Sequence, residues 1–373
     1  MMQNQSSTPI YLYVGTFTRQ RPHGRGNAEG IYVYRADPTT GDLSLSQVMA
    51  DVPNPSFLTL SPSKRFLYAV NANPEIDGHP GGAVSAFAVD STNGSLTYLN
   101  REASHGVGPC HVSVDQTERC VLVTNYGSGS VAVLPIQDNG RVGPASDVIQ
   151  HEGSGADPQR QQGPHAHSLN LDPANRFALV CDLGLDKVLV YRFDPSRGKL
   201  TPHESQPWVP TRGGAGPRHL AFHPNGRFVY VINELNSTLM AFEYSAADGT
   251  LREVQTVSTL PEGFAGENSC ADVHVAPSGR FVYGSNRGHD SIVIYGIDEG
   301  TGRLTYVGHE STRGQTPRNF TFDLAGTGLL AANQDSDTIV AYGVNQETGR
   351  LTFSRTVAEV ASPVCLKFIR FAT

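Results

Sequence analysis

The sequence is poor in features that several common protein classes require. It has five cysteines in 373 residues, an odd number whose spacing fits neither a disulfide framework nor a zinc site. We interpret them as small buried side chains in a reducing compartment. The first nine residues contain no apolar stretch, and no apolar run elsewhere is long enough to cross a membrane. We therefore expect no signal peptide, no membrane contact and a cytoplasmic protein.

Basic tracts and catalytic signatures are also missing. The formal net charge is −7, without a basic or basic–aromatic patch, which argues against a nucleic-acid partner. The stretch Gly127-Ser128-Gly129-Ser130 resembles part of a phosphate-binding loop, but it lies in a predicted β-turn with no helix after it. No GxSxG nucleophile elbow and no GxGxxG before a helix occur. These absences exclude a nucleotide-binding enzyme and a serine hydrolase of the nucleophile-elbow type.

What the sequence does contain is one pattern repeated at least six times. Its plainest copy runs from Pro217 to Asn233 and combines an alternating apolar segment, a Pro-Asn-Gly turn and a β-branched segment. Further copies, the last one truncated, begin at Pro55, Pro109, Pro164, Cys270, Pro317 and Pro363. The seven starts are 54, 55, 53, 53, 47 and 46 residues apart. A period of this length indicates a solenoid or a propeller.

Each repeat is consistent with four short strands, and no amphipathic helical stretch interrupts them. We therefore predict an all-β fold, a β-propeller with four-stranded blades. Six blades run from Pro55 to about Val360, and the last segment, 363–371, supplies only an innermost strand. Because residues 10–49 supply the three other strands, the two termini together complete a seventh blade and close the ring. The prediction is a single domain spanning residues 1–373.

The rim where first strands begin and second strands end is the predicted functional surface. Short polar side chains end the second strands, at Thr16, Asn71, Asn125, Asp182, Asn233, Asn286 and Asn333. Asn and Asp often have a structural role there, because they bond their own backbone at turns. The charged or titratable residues beside this ring of side chains are harder to explain as turn formers. At the starts of first strands or directly after the ring these are His167, Arg218, Glu234, Arg287 and Arg318. The next register along the first strands holds His111, His219, Asp272 and Asn319.

Three consecutive blades bring opposite charges to one sector of the rim. In order, they carry His167, Arg218 together with Glu234, and Arg287. Two guanidiniums can bind an anionic substrate and stabilise an oxyanion, while a carboxylate or imidazole can move a proton. The structural alternative is a set of salt bridges in which Arg218 and Glu234 neutralise each other. Since buried charge at a channel is costly unless it is paired or used, the convergence favours a functional site.

A long polar segment, residues 150–167, precedes the strand that carries His167. Loops of this length tend to be lids or binding segments. Its end, His165-Ala166-His167, could place two imidazoles on one face of a strand. No nearby Cys, Asp or Glu spacing completes a metal ligand set, so we expect no metal site.

Three groups of motifs are distinctive in combination: Gln159–Ser168; Gly214–Pro224 with Val231–Asn236; and Ala271-Asp272 with Ser285–Gly288. With them, nearly the whole chain resembles the seven-bladed propeller lactonases, the family of the bacterial 6-phosphogluconolactonases and of a fungal cycloisomerase for 3-carboxy-cis,cis-muconate. The resemblance implies catalytic roles for four residues, His167, Arg218, Glu234 and Arg287. We also expect substrate contacts from His165, His111, His219, Asp272, Arg318, Asn233 and Asn286.

The activity implied by the resemblance is hydrolysis of 6-phosphoglucono-δ-lactone to 6-phosphogluconate in the pentose phosphate pathway, without metal or organic cofactor. Arg218 and Arg287 would hold the anionic group of the substrate and polarise the lactone carbonyl. Glu234, alone or with His167, would activate water, and the neighbouring His165 could replace His167 in that role. The expected partner is a small anionic lactone, and the protein is expected to be a monomer or a weak homodimer.

Three alternatives remain open at this point. The first is a lactonase for another sugar lactone. The second is a cycloisomerase, which would use the two arginines for two carboxylates and a Glu or His for proton transfer at carbon. A non-catalytic propeller scaffold is the third. The unequal polar rim argues against it, as do the missing Trp-Asp repeat endings, since the chain has one tryptophan in all.

Overall fold

The computed structural model describes residues 9–19, 26–73, 75–76 and 79–371. Residues 1–8, in which the sequence predicts no signal peptide, lie outside the described residues. Within the described ranges the chain forms seven sheets of four or five strands and one two-stranded pair. No helix in this part of the chain is long and apolar enough to cross a membrane. The predicted all-β, seven-bladed propeller is confirmed.

The strands follow one another as antiparallel blades. The N-terminal strands are β1 (Ile10–Thr16), β2 (Gly30–Ala36) and β3 (Leu43–Ala50). The first complete blade, with a short pair β6–β7 inserted, has β4 (Leu58–Leu60), β5 (Phe66–Asn71), β6 (Glu75–Ile76), β7 (His79–Pro80), β8 (Ala83–Val89) and β9 (Leu96–Ala103). The second has β10 (Pro109–Val114), β11 (Cys120–Asn125), β12 (Ser130–Pro135) and β13 (Asp147–Gln150).

The remaining blades repeat this order. The third has β14 (Ala166–Leu171), β15 (Phe177–Asp182), β16 (Lys187–Asp194) and a divided outer strand, β17 (Lys199–Pro202) and β18 (Trp208–Pro210). The fourth has β19 (Pro217–Phe222), β20 (Phe228–Asn233), β21 (Thr238–Tyr244) and β22 (Leu251–Ser258). The fifth has β23 (Ser269–Val275), β24 (Phe281–Arg287), β25 (Ser291–Ile297) and β26 (Leu304–Ser311). The last strands are β27 (Pro317–Phe322), β28 (Gly328–Asn333), β29 (Thr338–Val344), β30 (Leu351–Glu359) and β31 (Pro363–Arg370).

The two ends of the chain share the seventh blade. Its strand order is β3-β2-β1-β31, with Ile10 opposite Arg370 and Val14 opposite Leu366. The innermost strands of neighbouring blades contact one another in a continuous ring that runs from β4 through β31 and back to β4. The predicted closure by a blade made from both termini is therefore confirmed, and it leaves no inner sheet edge open.

The core lies between the blades. Among the described residues, seven clusters of buried apolar side chains occur, one at each junction of neighbouring blades. The turns lock into these junctions: the hydroxyl of the buried Tyr283 donates a hydrogen bond to the carbonyl of Gly349 in the next blade, at 2.7 Å. Gly349 has φ +73°, and a Cβ there would lie 2.4 Å from the ring of Phe281. Glycine is required at this turn by both conformation and space.

A β-bulge recurs at the start of the innermost strands. In four blades the register between the first and second strands skips one residue of the first strand. The skipped residues are Cys110, His167, Arg218 and Arg318. A bulge bends its strand and re-aims a side chain. All four of these side chains line the same cavity at the rim of the channel.

Candidate active site

A cavity of ≈ 1040 Å³ opens at the rim of the central channel. Volumes near this size suit small-molecule ligands. Of the described residues, four arginines and three carboxylates line it, namely Arg160, Arg218, Arg287, Arg318, Glu234, Glu267 and Asp335. The bulged His167 and Cys110 stand on the same wall, with His219 beside them. The cavity is therefore polar and carries a small excess of positive charge.

Glu234 is the centre of the site, directly after β20. Its Oε2 accepts a hydrogen bond from Nε of Arg218 and forms an ion pair with Nη2 of Arg287, both at 2.9 Å. Its Oε1 accepts one from Nη2 of Arg160, at 2.8 Å. The predicted neighbours Arg218, Glu234 and Arg287 are therefore in direct contact, and a third guanidinium joins them.

The carboxylate of Glu234 is held in its ionised form. Burial alone would raise its pKa, but the guanidinium of Arg287, and then those of Arg218 and Arg160, outweigh burial and lower the pKa below its usual range. A carboxylate this stable is a weak proton acceptor at neutral pH. The arrangement suits Glu234 to hold the arginines in place.

His167 stands beside this cluster as a neutral imidazole. It is 4% exposed, its ring centroid lies 5.2 Å from that of His219, and its Nδ1 lies 3.9 Å from Sγ of Cys110. Burial first, and then the positive charge of Arg218, lower the pKa of His167 well below its ordinary value. At neutral pH this side chain is unprotonated, and its low pKa makes it a weak base until negative charge develops beside the arginines.

A second layer supports the first. Nδ1 of His219 donates to Oδ1 of Asp272 at 2.8 Å, so its Nε2 can accept from Nη1 of Arg218 at 3.2 Å. Asn319 also donates to Asp272, at 2.5 Å. Burial, followed by the charge of Arg218, lowers the pKa of His219 to about 4. The ring of His111 lies 5.6 Å from that of His219. This layer fixes the orientation of Arg218.

Not every predicted residue reaches the cavity. Of the set named from the sequence, His167, Arg218, Glu234, Arg287, His219 and Arg318 line it, while His165, His111, Asp272, Asn233 and Asn286 are not among its lining residues in the described chain. The Nδ2 of Asn233 donates to Thr238 at 2.8 Å, and that of Asn286 donates to the carbonyl of Thr259 at 2.8 Å. The bond of Asn233 closes a local turn, whereas that of Asn286 joins its blade to the segment that follows the preceding blade. Substrate contact by these two asparagines stays a prediction.

The His165-Ala166-His167 segment does not present both imidazoles to one site. The bulge between Ala166 and Ser168 interrupts strand alternation at His167. The ring of His165 stacks on that of Tyr126, with centroids 4.5 Å apart and an interplanar angle of 14°, and its Nδ1 lies 2.8 Å from the carbonyl oxygen of Tyr126. No group of three or more His, Cys, Asp or Glu residues in the described ranges is arranged to hold a metal ion.

Arg160 was not predicted as a site residue. It comes from the loop of residues 151–165 between β13 and β14, and its Nη2 also donates to the hydroxyl of Tyr126, at 3.3 Å. The available signal was the long polar segment and its position on the rim. The pairing with Glu234 has no counterpart in the repeat and could not be read from the periodicity.

The 151–165 loop is fixed at both ends and in its middle. At its start, Nδ1 of His151 lies 2.6 Å from Oδ2 of Asp182; at its end, the backbone N–H of His165 donates to Oδ1 of the same residue at 2.8 Å. In between, the buried side chain of Gln161 donates to Oδ1 of Asp186 at 2.7 Å and to the carbonyl of Leu183 at 2.6 Å. The loop is therefore a preformed wall of the cavity.

Comparison with known proteins agrees with the fold. Residues 11–368 match the family model described as lactonase, 7-bladed β-propeller. Over 357 residues the chain is 38% identical to the 6-phosphogluconolactonase of Bacillus subtilis, which covers 96% of this chain and 97% of that protein. The 6-phosphogluconolactonase of Formosa agariphila is 33% identical over 323 residues, 86% of this chain and 88% of that protein. The solved structure of a periplasmic gluconolactonase from Pseudomonas aeruginosa aligns with a TM-score of 0.88 and 33% identity, covering 97% and 99% of the two chains.

Proposed function

Because this chain belongs to the seven-bladed β-propeller lactonase family, we propose that it hydrolyses 6-phosphoglucono-δ-lactone to 6-phosphogluconate. The observation that carries the proposal is the contact of two guanidiniums with one carboxylate beside a neutral, buried imidazole on a cavity wall. Such a set can bind an anion, stabilise an oxyanion and accept a proton from water. These are the three tasks that hydrolysis of a phosphorylated lactone requires.

In the proposed reaction a water molecule attacks the C1 carbonyl carbon of the lactone, and its proton passes to His167. The carbonyl oxygen becomes an oxyanion beside Arg218 and Arg287, which offer it preorganised positive charge. The bond from C1 to the ring oxygen then breaks, and that oxygen takes the proton from His167 to become a hydroxyl. The new carboxylic acid ionises and releases one proton to the solvent.

We assign the proton to His167 and a positioning role to Glu234. The three guanidiniums on Glu234 occupy both of its oxygens and lower its pKa, which reduces its strength as a base. The same positive charges disfavour an imidazolium at His167 in the empty site. That repulsion decreases once the oxyanion forms between the arginines, so the proton transfer becomes more favourable in the transition state.

Proton release from freshly generated 6-phosphoglucono-δ-lactone tests the proposal, after correction for spontaneous hydrolysis. The wild-type protein is expected to release protons well above the uncatalysed rate. Arg287→Ala is expected to lower kcat by about 10²- to 10³-fold, the range for loss of one oxyanion-stabilising donor. Arg252→Ala, in a solvent-exposed ion pair with Glu243, is the matched control and is expected to match the wild type. A wild-type rate equal to background would refute the lactonase proposal for this substrate.

An unphosphorylated aldonolactone is the second candidate substrate, because the related Pseudomonas aeruginosa protein is described as a gluconolactonase. Glucono-δ-lactone should therefore be assayed in parallel. A higher kcat/KM on the unphosphorylated lactone would replace the first candidate by the second.

We also propose a cytoplasmic location, where the reaction would serve the pentose phosphate pathway, and a monomeric or weakly dimeric state. The five free cysteines, four of them buried, fit a reducing compartment. Cell fractionation tests the location, and sedimentation analysis tests the state of association. Recovery of the protein in a secreted or periplasmic fraction, or as a stable higher oligomer, would contradict the respective proposal.

A further inference from the structure

The three arginines on Glu234 lie at different depths. The side chain of Arg218 is 3% exposed and that of Arg287 is 13% exposed, whereas the side chain of Arg160 is 44% exposed. The two deep arginines share Oε2 of Glu234, and Arg160 alone holds Oε1. The site therefore has an inner pair of guanidiniums and an outer guanidinium that faces solvent.

Their hydrogen bonds differ in the same sense. Arg218 donates to the carbonyl oxygen of Ala271, and Arg287 donates to that of Cys270 at 2.7 Å, so both are anchored to β23. Arg160 uses only Nη2, for Glu234 and for the Tyr126 hydroxyl. Its Nε and Nη1 make no hydrogen bond to the described part of the chain. Nε of Arg287 also lacks a hydrogen-bond partner there, but it is buried, whereas the open donors of Arg160 belong to a side chain that is 44% exposed and can serve a ligand at the mouth of the cavity. A guanidinium with two open donors suits bidentate binding of a phosphate.

Arg160 is also held in place before any ligand arrives. Its backbone N–H donates to Oδ1 of Asp157 at 3.1 Å, and the next residue, Gln161, is 1% exposed and bonded to Asp186 and Leu183. Glu234 and Tyr126 then orient the guanidinium itself. Little conformational entropy is left to lose when a ligand binds, which favours affinity.

We propose that Arg160 is the residue that selects a phosphorylated substrate, by binding its phosphate group at the mouth of the cavity. This inference rests on the proposed lactonase function. In a 6-phosphorylated δ-lactone the C1 carbonyl and the carbon that bears the C6 phosphate group flank the ring oxygen, and the two groups point away from each other. Such a molecule can place its phosphate at the outer Arg160 while its carbonyl faces the inner pair Arg218 and Arg287. Glu267 and Asp335 also line the cavity and repel a phosphate. A guanidinium with open donors is therefore needed to bind it there.

The test compares kcat/KM on 6-phosphoglucono-δ-lactone and on glucono-δ-lactone for the wild type, Arg160→Gln and Arg160→Lys. Arg160→Gln is expected to lower kcat/KM on the phosphorylated lactone by about 10- to 100-fold, mainly through KM, the range for one charge-assisted contact. The loss of kcat/KM on the unphosphorylated lactone is expected to be several-fold smaller, since that substrate has no phosphate to lose a contact with Arg160. Arg160→Lys should restore part of the loss, because lysine keeps the charge without the bidentate geometry. Arg252→Gln is the matched surface control.

Two results would overturn the inference. An equal loss on both lactones would mean that Arg160 only supports Glu234, and no loss on either would mean that the phosphate binds elsewhere. If the wild type hydrolyses neither lactone, the proposed function fails, and calorimetric titration with 6-phosphogluconate and gluconate still decides the role of Arg160. Tighter binding of the phosphorylated acid by the wild type, lost in Arg160→Gln, would uphold it; equal binding, or none, would reject it.

Discussion

At the residue scale, the same arginines affect two titratable groups of different charge type, the carboxylate of Glu234 and the imidazole of His167. Positive charge stabilises the carboxylate of Glu234 and destabilises the imidazolium of His167, so it lowers the pKa of both. Both side chains are therefore unprotonated at neutral pH, one as an anion and one as a neutral base. We therefore assign positioning of the arginines to the anionic Glu234 and proton transfer to the neutral His167.

The low pKa of His167 predicts an unusual pH dependence. A histidine base with the ordinary pKa of about 6.5 would be mostly protonated at pH 6, and kcat/KM would fall about fourfold between pH 7.5 and 6. Because the folded protein holds the pKa of His167 below that value, we expect kcat/KM to stay within about twofold over this range. A pH series on the phosphorylated lactone measures it, with His167→Gln as the variant that should lack the acid limb. Half-loss of kcat/KM near pH 6.5 would contradict the assignment.

Two irregular elements build the site at the scale of strands and loops. The bulges turn His167, Arg218 and Arg318 into the cavity, and the 151–165 loop carries Arg160 to Glu234. Neither element follows from the period of the repeat, since a bulge adds one residue to a pattern that otherwise alternates. The repeat alignment predicted these four residues in two registers: His167 and Arg218 at the start of first strands, and Glu234 and Arg287 directly after the asparagine that ends the second-strand core. It could not predict Arg160, whose position depends on hydrogen bonds within a loop found in one blade.

The buried side-chain amide of Gln161 is expected to hold the 151–165 loop closed. Gln161→Ala removes the hydrogen bonds to Asp186 and Leu183 and the side-chain acceptor for the Asp157 N–H. Because a lost buried partner costs about 1–3 kcal/mol, we expect the loop to open about 5- to 100-fold more often. Limited trypsin cleavage after Arg160 measures this opening, and kcat/KM on the phosphorylated lactone should fall about tenfold.

The neighbouring Gln162 provides the control for this experiment. It is exposed and donates only to the carbonyl of Gln159, at 2.8 Å. Gln162→Ala should therefore be cleaved at the wild-type rate and keep wild-type activity. Equal cleavage of the two variants would show that Gln161 does not hold the loop.

At the scale of the whole molecule, stability depends on the blade shared by the two termini. Deleting residues 363–373 removes β31, so β1 becomes an inner edge and the junctions on either side lose buried residues such as Cys365 and Leu366. We expect the midpoint of thermal unfolding to fall by roughly 10 °C or more, or the soluble yield to collapse. If scanning calorimetry showed that the truncated protein unfolds at the same midpoint temperature as the wild type, this expectation would be contradicted.

A circular permutant is the matched control for the truncation, since it changes the chain ends but keeps every strand. The original ends can be joined by a short linker because Ile10 lies opposite Arg370, and new ends can be placed in the exposed turn at residues 298–301. This variant should unfold near the wild-type temperature. An equally large loss in the permutant would mean that the position of the ends, and not β31 itself, accounts for the effect.

The sequence predicted the whole-molecule architecture more completely than the details of any one blade. Blade number and ring closure follow from the spacing of the repeats and from the two partial repeats at the ends. The division of the third blade's outer strand into β17 and β18 was not predicted. Outer strands are half exposed and their apolar pattern is weak, so the interruption leaves no clear signal in the sequence.

Because the chain is synthesised from its N-terminus, the shared blade also determines when the ring can close during folding. The partner of β1 is β31, so the inner edge of β1 cannot be covered until β31 has been synthesised and has left the ribosome. During synthesis the finished blades form an open arc with an exposed strand edge and an uncovered apolar face on each side of the gap. Completion of the ring, and with it the final arrangement of the channel, is therefore a late event that must wait for the synthesis of β31.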